Sequence, residues 1–369
     1  MLLAYVIYIM LPCLMVLSLL QISSGLVEHK YLYFNRYLLP QIVILLISII
    51  IGYRYGVGSD YFSYEQIYLS QDSSGFVERY GIEYIFYAIY ALCYKLGLSY
   101  NFALCILNYI PIWLLYKTFR NDKSFAWIIV MLFLSGQFFL HLNIVRQSIA
   151  LFVLLYSTRY IINRSLKQFV LLVFIAMGFH TSAILFLPMY YIPRLSFILT
   201  TRKLQYSIFF TALLFSSFIL THLIGMMIEL MQYTPYGQYG ALITDFEITK
   251  GSGAGVIVKV IADIVIIYYS VQLSKTYKHS GFDVFYLVYF CGCVISQVFG
   301  LTSLLLLRIT FLFDSFRFVI LGYLFSYLSK KRGVMHVIVF IILLLVYVAY
   351  FIGMIYLHNN HCSPYKFVI

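Results

Sequence analysis

Apolar stretches recur from one end of the sequence to the other, near residues 2–20, 37–53, 82–96, 101–116, 124–141, 146–163, 204–230, 256–273, 282–305, 309–328 and 334–357. Most approach the roughly 20 residues that an α-helix needs to cross a bilayer. Water cannot be the solvent for such a chain. Of its residues 63% are hydrophobic and only 10% charged, against about a quarter charged in soluble domains. Where no water reaches the backbone, N–H and C=O groups must be satisfied inside helices or a closed barrel, and runs of this length belong to helices. The sequence therefore predicts an all-α, polytopic transmembrane protein: one membrane domain over residues 1–369 with about eleven or twelve membrane segments. Its opening, MLLAYVIYIMLPCLMVLSLL, lacks a basic leader region and an A-x-A-like site, and reads as the first spanning helix, not a removed signal.

The stretch 168–192 stands apart. Gly178 and His180 interrupt it, Arg164 and Lys167 precede it, and Arg194 and Arg202 follow it. Two flanks of the same sign predict a re-entrant helical hairpin whose turn, GFHTS, reaches toward the opposite face.

Charge sets the orientation. A net charge of +12 would point to nucleic acid in a soluble protein. Here the Lys and Arg residues gather in short loops, at 117–123, 159–167, 194–203, 275–278 and 330–332, the pattern of cytoplasmic connections. No nucleic-acid partner is expected, although a basic excess also suits an anionic lipid substrate. The connection 141–147, the GFHTS turn and the loop 231–255 then face the other side. Residues 54–83 hold five of the thirteen acidic residues against two Arg, which argues for an outer loop at 54–81. Two full crossings between that loop and 117–123 would put it inside, so either one of the runs 82–96 and 101–116 turns back or a crossing is miscounted. Short loops weigh most in this rule, and the outer placement of the long segment is retained.

Ionisable groups are costly in a membrane, so each is a candidate site with a packing alternative. After the second run comes Arg54-Tyr-Gly-Val-Gly-Ser-Asp60-Tyr61-Phe-Ser-Tyr64. Its Arg54 fork suits phosphate or carboxylate, Asp60 is an acceptor or base, and the alternative is an arginine snorkelling from a helix end. A second group, Asn143-Ile-Val-Arg146-Gln147, opens a helix, where free N–H groups also favour an anion. His180 is either a base or phosphate donor, or a histidine bonded to a neighbouring helix. Near the end lie Arg308, Asp314 and Arg317, the last two three residues apart and able to pair. Lys259 and Asp263, four apart, read as a structural pair. No metal-ligand or D-x-D spacing is present, the six cysteines are scattered, and nucleotide-binding signatures are missing, so no metal or cofactor is expected.

Taken in order, R-Y-G-V-G-S-D-Y-x-x-Y at 54–64, N-x-x-R-Q-x-x-A at 143–150, H-T-S-A at 180–183 and L-R-I-x-x-x-F at 307–313 resemble the EpsG-like branch of Wzy-type polysaccharide polymerases. Ser59 stands where that family often has Thr. The resemblance implies a multi-pass protein of the bacterial inner membrane that makes O-antigen or capsule. It would transfer the growing glycan from undecaprenyl pyrophosphate onto a newly flipped lipid-linked repeat unit, and would meet a chain-length regulator and a flippase. On that basis Arg54, Arg146 and Arg308 grip diphosphate, and Asp60 or His180 is the base. Gln147, Asn143, Tyr61 and Tyr64 then bind the substrate's sugars. A sugar-polymer ligase, a lipid-oligosaccharide flippase and a membrane acyltransferase are the competing readings.

Overall fold

Helices account for nearly all of the regular structure, as a chain without access to water requires. The structure, a computed structural model, describes residues 1–23, 38–71, 83–216, 253–299 and 310–368, with single positions at 218, 222, 226 and 229. Most of the expected 231–255 loop, and Arg308, lie outside the described residues.

The chain divides into two compact units. One comprises Met1–Leu187 with Leu321–Ile369. Its helices are α1 (Leu2–Ser23), α2 (Leu39–Gly52), α3 (Tyr61–Leu69), α4 (Tyr84–Lys95), α5 (Tyr100–Phe119), α6 (Phe125–Leu134), α7 (Gln137–Asn143), α8 (Val145–Ile162) and α9 (Leu166–Met177). Around α5 pack α2 and α8, and α9 lies on α8. A Cβ on Gly52 would fall 2.3 Å from Cys105 Sγ and 2.7 Å from its backbone N, so only glycine lets α2 approach α5 this closely. Ser99 Oγ caps α5 by accepting the Phe102 N–H at 3.2 Å, where a bare helix end would leave that donor unmatched.

Between α6 and α7 the axis bends by 65°. Gly136, at φ +77°, supplies the left-handed conformation the bend needs. Among the described residues, five helices are long and apolar enough to cross a membrane, and the bent α6–α7 pair makes a sixth if it is one span. Shorter apolar helices, α1, α2, α9 and Phe282–Val298, accompany them.

The interrupted run is a hairpin. After α9 the chain turns at Gly178–His180 and continues as a 3₁₀ helix, Thr181–Thr200. The fully buried rings of Phe169 and Phe186 sit 6.2 Å apart across the turn, so the start of the second arm doubles back on α9. That second arm is itself long and apolar enough to cross.

α4 has 12 residues, about 18 Å at 1.5 Å per residue, well short of a ~30 Å hydrocarbon core. Both of its ends meet α3 or the groups beside it. The Tyr68 hydroxyl donates to Leu98 O at 2.6 Å, while Glu83, just before α4, reaches the start of α8. The run 82–96 therefore leaves one end of the unit and returns to it. Of the runs 82–96 and 101–116, only α5 is long and apolar enough to cross on the way to the basic 117–123 loop.

The other unit, Pro188–Ile320, holds α10 (Arg202–Leu214), α11 (Ala254–Thr276) and α12 (Phe282–Phe299), packed on one another. In its interior Gln205 is bonded at both ends: Nε2 donates to Ile198 O at 3.0 Å and Oε1 accepts from the Tyr286 hydroxyl at 2.5 Å. α13 (Arg317–Leu328) follows, and α14 (Val334–Tyr356) belongs to the first unit.

Candidate functional site

The turn that follows α2 is built around Arg54. Its side chain is fully buried. Nε donates to Val57 O at 3.0 Å, Nη1 to Ile51 O at 2.9 Å and Nη2 to Leu142 O at 3.1 Å. Gly58, at φ +98°, lies so near the end of α7 that a Cβ would be 2.7 Å from Leu142 O. The Asp60 N–H donates to Asn143 Oδ1 at 3.0 Å. Residues beyond α14 cover the turn from the other side: the Tyr55 N–H bonds Lys366 O at 2.9 Å, the Gly58 N–H bonds His361 O at 3.1 Å and the Tyr365 hydroxyl bonds Ile50 O at 2.9 Å. Arg54 thus stitches two of the sequence motifs together through backbone carbonyls. Its head group faces these carbonyls and not solvent, so Arg54 does not snorkel from the helix end.

Arg146 has a different setting. It sits in the first turn of α8 with its side chain 23% exposed, and Nη1 lies 2.8 Å from Glu83 Oε2. Its guanidinium also meets the Tyr64 hydroxyl of α3. Burial pushes that phenol above its ordinary range, with the Arg146 charge opposing. The other Glu83 oxygen, Oε1, accepts the Thr181 N–H at 3.2 Å. His180 is the neighbouring residue, half-buried, with Nδ1 2.6 Å from Ser182 Oγ. One carboxylate therefore joins the α8 motif to the hairpin turn.

Close packing fixes this junction. The Ile85 and Phe86 N–H groups donate to Gly178 O at 2.9 and 3.2 Å, giving two donors at the start of α4 a partner. A Cβ on Gly178 would lie 2.4 Å from the Ile85 side chain. Glu83 is thereby held against the turn.

Of the remaining sequence candidates, Asp60 and Asn143 are half-buried at this same end, and Gln147 is buried one residue beyond Arg146. Tyr61 is 1% exposed, its ring walled by Tyr55, Phe62 and Tyr100 at 5.1–6.0 Å. Tyr64 is 6% exposed and packs on Phe86. Both rings are buried, and the Tyr64 hydroxyl meets the Arg146 guanidinium.

In the second unit Asp314 pairs with Arg317 as the spacing predicts, Nη2 to Oδ1 at 2.5 Å. The predicted Lys259–Asp263 pair is exchanged: Lys259 bonds Asp314 Oδ2 at 2.8 Å and Arg317 bonds Asp263. Tyr289 donates to the fully buried Asp263 carboxylate at 2.5 Å. Two neighbouring segments, not one helix, neutralise these charges.

The EpsG family model matches residues 37–367, nearly the whole chain. The chain belongs to the EpsG family. This is a Wzy-like polymerase family, and membership gives this multi-pass membrane protein a polysaccharide-polymerase-like function. No curated protein and no solved structure matches it.

Glu83 of this EpsG-family chain is not among the sequence candidates: in the sequence it is one acid of an acidic loop, and its partners are 63 and 98 residues away. The available signal was its place before an apolar run that is too short to cross, where a carboxylate stays at the interface. The segment after α14, HNNHCSPYKFVI, is not among the sequence candidates either, since it carries neither an acid nor an arginine.

Proposed function

We propose that this chain is a membrane glycosyltransferase that lengthens a bacterial surface polysaccharide, moving the growing glycan from undecaprenyl diphosphate to the sugar of a lipid-linked repeat unit. One observation carries the reading: Arg146, partly exposed at a helix start, is gathered with Glu83 and the His180 turn at one end of the helices. A departing diphosphate needs a fixed cation and free N–H donors. The attacking hydroxyl needs a base within hydrogen-bond reach, and Asp60, Glu83 and His180 are the groups at this end. Arg308 is the second cation of this reading, and Arg54 positions the turn without touching substrate.

Placement at the outer face of the bacterial cytoplasmic membrane belongs to the same proposal. α5 runs from the cluster to the basic 117–123 loop, α8 runs from Arg146 to the basic 159–167 loop, and α14 runs from the basic 330–332 loop back to the segment that covers Arg54. Basic loops at the far end favour a cytoplasmic location for that end. An apolar groove of about 660 Å³ between α2 and α5, lined by Leu45, Ile49, Tyr53, Phe102, Ile106 and Tyr109, ends one residue from Arg54 and suits a polyprenyl tail.

The test is the surface polysaccharide of a deletion strain carrying Arg146→Ala. Single repeat units without long chains support a polymerase. Loss of single units as well supports the ligase reading, and chains of normal length refute both.

A further inference from the structure

Resting on the polymerase reading, we infer that Glu83 is the catalytic base, held idle by Arg146 until the donor's diphosphate takes that arginine. Glu83 is 8% exposed, and each of its oxygens has one partner, Arg146 Nη1 and the Thr181 N–H. These partners differ in kind. The backbone donor is neutral and fixed at the hairpin turn. The guanidinium is charged, partly exposed and set at the start of α8, the helix end whose dipole favours an anion.

A diphosphate carries more negative charge than one carboxylate, and it meets a guanidinium through the same forked hydrogen bonds. Donor binding therefore draws Arg146 away from Glu83. The carboxylate keeps its Thr181 bond and its place, while the oxygen that faced Arg146, Oε2, is left open to accept from the acceptor hydroxyl. The other titratable groups near this junction are Tyr64 from α3, Asp60 just before it, Tyr90 from α4 and His180 from the hairpin turn. Tyr64 is braced against Arg146, and the His180 ring nitrogen Nδ1 is turned to Ser182.

In the transfer, the acceptor hydroxyl oxygen forms the new bond to the anomeric carbon of the donor glycan. The bond from that carbon to the diphosphate oxygen breaks, and its electron pair leaves with the diphosphate against Arg146. The hydroxyl proton passes to Glu83 and from there to water. Because Glu83 Oε2 is uncovered only when Arg146 is occupied, the acceptor is activated only beside a bound donor.

The experiment uses the full-length purified chain with lipid-linked repeat units from a strain lacking it, and undecaprenyl diphosphate as the binding probe. Glu83→Gln is expected to bind undecaprenyl diphosphate at least as tightly as the wild type, to lose about 100-fold or more in kcat, and to lose the acid limb of the kcat–pH profile. Glu83→Asp retains that limb at a lower kcat. A Glu83→Gln enzyme within about threefold of wild-type kcat, or one whose binding falls in step with kcat, overturns the assignment. Should the amide variant not fold, an Asp variant with unchanged kcat and profile overturns it equally. Arg146→Ala separates the two levels: polymer made by that variant removes the polymerase site itself, whereas an inactive Arg146→Ala beside an active Glu83→Gln removes only the role of Glu83.

Discussion

The Glu83 carboxylate lies 2.8 Å from the Arg146 guanidinium, across 63 residues of sequence. An ion pair with one member 8% and the other 23% exposed is neither a screened surface contact nor a fully desolvated one. Removing one member leaves the other with a partly buried charge. A double-mutant cycle of Glu83→Ala and Arg146→Ala, read as melting of the purified protein in detergent, should give a coupling of about 1–2 kcal/mol, between the values for exposed and buried pairs. Additive losses would mean that the two groups do not meet.

Arg54 and Arg146 should separate by stability. Arg54→Ala leaves the carbonyls of Ile51, Val57 and Leu142 without their guanidinium donor. At roughly 1–3 kcal/mol for each unsatisfied buried acceptor, a loss of about 3 kcal/mol or more is expected. Lysine, a point charge on a flexible stem, should recover only part of it. Size-exclusion profiles and melting in detergent check this: Arg54→Ala should lose its folded peak, while Arg146→Ala keeps it.

Gly178 has an ordinary helical backbone, φ −66°, so any cost of Gly178→Ala comes from the Ile85 side chain 2.4 Å from the new methyl. The substitution should push α4 and Glu83 away from the hairpin turn and reduce polymer length. Adding Ile85→Ala removes the obstructing atoms, and the double variant should regain chain length on a polysaccharide gel. A double variant no better than Gly178→Ala would place the defect elsewhere.

Much of the fold was legible because lipid simplifies the code: apolar runs mark helices, and basic loops mark one side. What the sequence left open was where a run fails to cross. Residues 82–96 look like their neighbours by composition, and only the contacts of Glu83 and Leu98 with one end of the unit show that the chain returns there. The arginines were legible as a set and not by role. Arg54 and Arg146 read alike in sequence, and burial against three carbonyls separates one from the other. Pairings in the second unit were misassigned for a related reason, since spacing along one helix cannot reveal that Lys259 and Asp263 each have a better partner around α13.

Sidedness has its own check. In a cysteine-free background, Ser59→Cys and Asn359→Cys lie at the end bearing Arg146, and Lys331→Cys lies at the other end of α14. A membrane-impermeant maleimide applied to intact cells should label the first two and spare the third. The reverse pattern would turn the site toward the cytosol.

The central claim is that Arg146 receives a lipid diphosphate as sugar is transferred. The direct measurement is the undecaprenyl diphosphate released by the purified chain as it lengthens polymer from lipid-linked repeat units. The account predicts one lipid diphosphate released for each repeat added by the wild type, and neither release nor polymer with Arg146→Ala. Release and polymer undiminished in that variant, or polymer growing without release, would contradict it.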